Sequence, residues 1–238
     1  MNHTKFSRTK GAGVFLGGMA ALTLMLASSA TYAVPTYQLK FETDGLTAII
    51  DDNGALDLNP IEGAILLVNF ALGDFTITTT SSTTKPVSGT EILPILQLNI
   101  LDVVGESTET LMISASDFGY GPVPANTPFT LGASSSNAFT QEVTSDAFWG
   151  LLNFDHANAI ASTAAGSGNF SELVTGLATP DNPFSLTLKT TLSWDINAGP
   201  EGSQYQATLA RKVPEPTTMA LLGLGLGLLG FSTRSRQK

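Results

Sequence analysis

The chain has 238 residues, with 20 acidic and 11 basic side chains, a net charge of −9 and no cysteine. An acidic balance argues against nucleic acid or an anionic lipid surface as a partner, and the missing cysteines exclude disulfides and thiolate chemistry. Hydrophobic residues make up 42% of the chain, too many for disorder.

The N-terminus comes first. Lys5, Arg8 and Lys10 form a positive region, Gly11 to Ala30 carries no charge, and Thr31-Tyr32-Ala33 offers small residues where a signal peptidase cuts. Residues 1–33 therefore read as a signal peptide, with Ser28-Ser29-Ala30 as an alternative site. Residues 34–216 hold all twenty acidic side chains but only five basic ones, a net charge of −15. Residues 34–212 are long enough for a single domain with a real core.

Periodicity in that middle is that of strands. Tyr37, Leu39 and Phe41 alternate with Gln38 and Lys40, and Leu96, Leu98 and Ile100 alternate with Gln97 and Asn99. Leu46 to Ile50, Ile61 to Phe70, Phe75 to Thr80, Leu111 to Ala115, Phe148 to Phe154 and Tyr205 to Lys212 are further strands. Phe184 to Trp194 is the clearest, with Leu186, Leu188, Leu192 and Trp194 expected inside and Thr187, Lys189 and Thr191 outside. Ser145 to Phe154 and Phe170 to Leu177 also fit short helices. Turn signals such as Asp51 to Gly54, Gly119 to Pro128 and Pro180 to Pro183 separate these segments. Many short strands without long helices predict an all-β fold, an antiparallel β-sandwich of jelly-roll or immunoglobulin-like type.

Candidate chemistry is sparse. Asp51-Asp52-Asn53-Gly54-Ala55-Leu56-Asp57 gathers side-chain oxygens suited to Ca²⁺, with Asp51, Asn53 and Asp57 as ligands. A plain Asn53-Gly54 hairpin turn is the competing reading, and no other cofactor is expected. Thr76, Thr78 and Thr80 would project to one side of a strand, an array too small for an ice-binding surface. His156, beside Asp155, is the one histidine after the leader and reads as a surface-loop residue; a secreted hydrolase would need it near a Ser and an acid. For a carbohydrate-binding module, Trp149, Trp194, Tyr37, Tyr120 and Tyr205 are the stacking candidates. Tyr120, in the Gly119 to Pro122 loop, is the one expected to be exposed.

The last segment is the most informative. Val213-Pro214-Glu215-Pro216 precedes an uncharged stretch, 217–233, and Arg234, Arg236 and Lys238 follow as a basic stop. As a helix, 217–233 would cover about 25 Å of a hydrocarbon core about 30 Å thick. Gly225 to Gly230 spells G-x-G-x-x-G, but inside an apolar stretch and not between a strand and a helix, so it is not a nucleotide site. Residues 213–238 resemble the PEP-CTERM sorting signal of exported Gram-negative proteins, also called the ice-binding protein C-terminal domain. The resemblance implies an exosortase that removes the tail and a host that makes extracellular polysaccharide. Signal peptidase and exosortase are the expected partners, extracellular polysaccharide a further one, and the membrane is met only through head and tail. The expected function is a non-catalytic, structural or adhesive protein. It would pass through the inner membrane to the cell envelope or extracellular matrix. A carbohydrate-binding module is the alternative, and a secreted hydrolase the third reading.

Overall fold

Alternation of apolar and polar residues turns Tyr37, Leu39 and Phe41 inward along β1 (Tyr37–Thr43), the first strand of a computed structural model. The structure describes residues 36–105, 109–136, 142–193 and 204–213. The leader, Trp194 and residues 214–238 lie outside them. The other strands are β2 (Leu46–Asp51), β3 (Ala64–Leu72), β4 (Phe75–Thr83), β5 (Ile95–Gly105) and β6 (Thr110–Tyr120). They continue with β7 (Thr127–Ser136), β8 (Glu142–Gly150), β9 (Asn158–Ser162), β10 (Phe170–Ala178), β11 (Phe184–Ser193) and β12 (Gln204–Arg211). The two segments that also fitted helices are β8 and β10. No helix long and apolar enough to cross a membrane occurs among the described residues.

Two antiparallel sheets of six strands pack face to face, as an all-β sandwich requires. Sheet A runs β2-β1-β6-β11-β8-β9 and sheet B runs β10-β7-β12-β5-β4-β3. From β5 onward the chain changes sheet at every connection except β8 to β9. The core between the sheets is built from one face of each strand: Leu39 and Phe41, Leu98 and Ile100, Phe129 and Leu131, Leu186 and Leu188, Ala207 and Leu209. Ser145, Thr190 and Tyr205 bring hydroxyls into this core and satisfy one another there.

Two expectations fail for physical reasons, one of side-chain direction in sheet B and one of exposure in sheet A. In sheet B, Asn69 and Asp102 adopt positive φ on either side of Thr78, and the ladder skips all three residues. The inward set of β4 therefore changes from Phe75 and Ile77 to Thr80 and Ser82, so Thr76 is exposed while Thr80 is buried. No threonine row shares that face. In sheet A, Thr187 and Ser185 of β11 are buried although they point away from the core. The loop 151–157 folds across them: Ser185 Oγ donates to the Leu152 carbonyl at 2.6 Å, and Thr187 shares a 2.8 Å hydrogen bond with Ser116. Leu186, Leu188 and Leu192 are buried as the alternation predicts, while Lys189 and Thr191 are only half-buried.

Candidate functional site

The acidic loop holds itself together with backbone donors. Asp57 Oδ1 accepts from the Asn59 and Leu66 amides at 2.8 and 3.0 Å, and its Oδ2 from the Asn53 amide at 2.9 Å. Asp51 instead takes the Gln38 amide at 2.7 Å, on the neighbouring strand. Asn53 has φ 56°, and the Gly54 amide closes a turn onto the Asp51 carbonyl, but β2 and β3 lie in different sheets, so the turn opens a crossover loop and not a hairpin. Among the described residues no group of three or more His, Asp or Glu is placed to hold a metal ion. Asp52, which accepts from the Gly63 amide, has its carboxyl pushed above the usual range by burial.

His156 sits on the 151–157 loop, its ring 4.7 Å from that of Phe148. Burial and then Lys189 and Lys40 hold the imidazole below its ordinary pKa. No hydrogen bond joins it to a hydroxyl or a carboxylate among the described residues, so the Ser and acid that a hydrolase needs are not assembled around it. Tyr120 is not an exposed loop aromatic. It is fully buried, its ring packs near Phe184, its hydroxyl meets Thr84, and Tyr37 and Tyr205 are buried too. Glycine and proline around Tyr120 read as a loop, but the strand β6 runs to its end at that residue. Trp149 is half-buried against the core. Among the described residues no row of exposed aromatics lines either sheet.

The two outer faces differ in charge. Sheet A carries ion pairs, Lys40 with Glu42 at 2.9 Å and Lys189 with Asp146 at 3.3 Å. Sheet B is uncharged across its middle. Its strand registers align Ser171, Ser134, Gln206, Asn99, Ser81 and Leu66 in one row across all six strands, spaced about 4.8 Å apart. The next row is Leu173, Gly132, Thr208, Gln97 and Thr83. Within the rows Asn99 Nδ2 reaches Ser81 Oγ at 3.5 Å and Thr83 Oγ1 donates to Gln97 Oε1 at 3.1 Å. The Gln206 amide has no partner among the described residues. Two adjoining grooves of about 360 Å³ each share Ser134, Ser171 and Gln206. Gly132 lowers the floor of one, and Leu173, 74% exposed, stands beside it. Glu172 also lines that groove, its carboxylate accepting from the Ala164 amide at 2.9 Å. Around it, hydroxyls, amides and the Leu173 side chain form a largely uncharged surface able to exchange hydrogen bonds with a hydroxyl-rich ligand. Sequence reasoning sought aromatics and missed this face, although the amides and hydroxyls alternating along β5, β7 and β12 were its signal.

The chain leaves sheet B at Arg211, and its next residues decide where it goes. Residues 212–237 match the family model of the PEP-CTERM protein-sorting motif. The chain carries a PEP-CTERM sorting signal. PEP-CTERM chains are exported, and the motif implies processing by an exosortase. A search of curated proteins finds no match. Solved structures similar to this PEP-CTERM chain include the K1 cleaved adhesin domain of Lys-gingipain from Porphyromonas gingivalis W83. That match has 8% identity and a TM-score of 0.32, over 63% of this chain and 98% of that one. Another is the C-terminal CBM6 of a marine laminarinase from Zobellia galactanivorans, at 6% identity and a TM-score of 0.29, over 63% and 99%. A third, TmCBM61 in complex with β-1,4-galactotriose, has 8% identity and a TM-score of 0.31, over 56% and 88%.

Proposed function

We propose that this protein is a non-catalytic component of a polysaccharide-rich cell envelope or extracellular matrix, structural or adhesive in role. Signal peptidase and exosortase remove its two ends on the way there. The sorting motif at residues 212–237 carries the reading, because it is an address for export and surface processing. The contact surface is the largely uncharged outer face of sheet B, where the Gln206 amide and the hydroxyls of Ser134 and Ser171 meet the hydroxyls of a neutral glycan chain. In an acidic protein such a face also admits a polymer without charge repulsion.

Affinity electrophoresis of the processed protein tests it, in gels containing neutral polysaccharides (galactan, laminarin, hydroxyethyl cellulose) or alginate. Retardation is expected in at least one neutral gel, and loss of it in Asn99→Asp/Gln206→Glu. Those positions face solvent, so the fold tolerates the exchange. Equal mobility in all neutral gels, or retardation that survives both substitutions, would overturn the sheet B assignment.

A further inference from the structure

Large exposed apolar side chains are unevenly placed on this sandwich. Of fifteen among the described residues, seven lie on the loops at one end, and Leu56 and Leu58 lie along the edge of β3, where the Leu58 amide donates to the Leu66 carbonyl. Ile92 and Leu93 lie on the loop before β5, Leu151 and Leu152 on the loop after β8, and Ile61, Val87 and Val213 complete the set. At the opposite end Leu46 is the one member of the set among the described residues, and five others lie on strands.

The same end releases the sorting tail. The Arg211 amide donates to the Pro94 carbonyl at 3.0 Å and its Nη1 to the Ile92 carbonyl at 2.5 Å. The Lys212 amide is tied to the Pro128 carbonyl at 2.9 Å. Only residues 213–216 then separate this anchored point from the uncharged segment that begins at Thr217. Four extended residues reach about 14 Å at most. A bilayer holding 217–233 would therefore lie within one loop's reach of Ile92 and Leu93.

We propose that this end of the sandwich docks on the non-cytoplasmic face of the inner membrane while the tail is uncut. The inference rests on the reading of the tail as membrane-held until exosortase removes it. Apolar loop tips enter the headgroup boundary, and the tether supplies the high local concentration that makes a small apolar contact count. Asp52, Glu62, Glu91, Asp155 and Asp181 share this end with Arg211 and Lys212, so attachment works through apolar burial and does not need anionic lipid. Cutting the tail removes the tether and frees the domain for the matrix.

The absence of cysteine makes the test clean, because a single introduced cysteine carries the only label. Full-length chain bearing an environment-sensitive fluorophore at Ile92→Cys or Leu152→Cys is placed in phosphatidylcholine vesicles, with and without phosphatidylglycerol. Leu173→Cys and Thr76→Cys are the sheet and far-end controls, and Leu224→Cys reports on the tail. Blue-shifted emission and quenching by spin-labelled lipid are expected at 92, 152 and 224, equally in both lipids, and absent at 76 and 173. Quenching at 224 without quenching at 92 and 152 overturns the docking surface alone. No quenching at 224 overturns the membrane reading of the tail and this inference with it. Protection of 92 and 152 that requires added exosortase assigns the surface to that enzyme and overturns a lipid contact.

Discussion

Lys85 places its ammonium 2.8 Å from Oδ2 of Asp117, a carboxylate with no exposed surface. Thr84 donates to the same oxygen at 2.8 Å, and Lys85 also reaches the Phe118 carbonyl at 2.5 Å while lying 4.4 Å from the Tyr120 ring centre. These contacts lock the loop after β4 against the end of β6. A buried charge that loses its partner is costly because neither water nor a counter-charge replaces it. Lys85→Met should therefore destabilise the fold by about 3–5 kcal/mol, and Lys85→Met/Asp117→Leu by clearly less. Urea unfolding reads both, and a single-variant loss under about 1 kcal/mol would show that the pair is poorly coupled.

Leu188 and Thr187 give a paired test of β11. Leu188 is fully buried in the core, so Leu188→Ala should cost about 2–5 kcal/mol. Thr187 lies under the 151–157 loop, and Thr187→Val removes its hydrogen bond to Ser116 at an expected cost of about 1–2 kcal/mol. A neutral Thr187→Val would mean that the loop does not seal this face in solution.

Much of this fold was legible in the sequence, and the failures share a cause. Period-two alternation located β1, β5, β11 and β12 because each has one face in the core and one outside. It could not place Thr187, since a loop from distant sequence supplies the cover. It misdirected Thr80, because the bulge at Asn69, Thr78 and Asp102 depends on three strands at once. In β10 the order is inverted: Leu173 and Leu177 face out while Glu172 and Gly176 face in, so hydrophobicity could not separate strand from helix. The sorting tail was fully legible because its information is linear. The sheet B face was not, because its rows join residues from six separated strands.

Asp57 works as a staple for the loop between β2 and β3. Asp57→Ala strands three backbone amides and should cost about 1.5–3 kcal/mol. Because backbone donors already engage both carboxylate oxygens, Ca²⁺ and Mg²⁺ at about 10 mM should raise Tm by the same amount through general screening. A rise specific to Ca²⁺ and abolished by Asp57→Ala would assign a metal to Asp51, Asn53 and Asp57 instead.

His156 sets one element of the pH response. Its folded-state pKa lies below the ordinary value, so the unfolded chain binds the proton more readily. Its contribution to stability is full above the unfolded value of about 6.5 and declines as pH falls through that value towards the folded one. His156→Gln should therefore narrow the fall in Tm between about pH 7.5 and pH 5. An unchanged fall would place the acid sensitivity elsewhere.

Intact-mass measurement of the protein recovered from the envelope and matrix of its own host addresses the sorting and processing directly. The expected species starts after Ala33 and lacks Met219 to Lys238, so that only the sandwich domain reaches the surface. Recovery outside the inner membrane of a chain that still carries Met219 to Lys238 would contradict it.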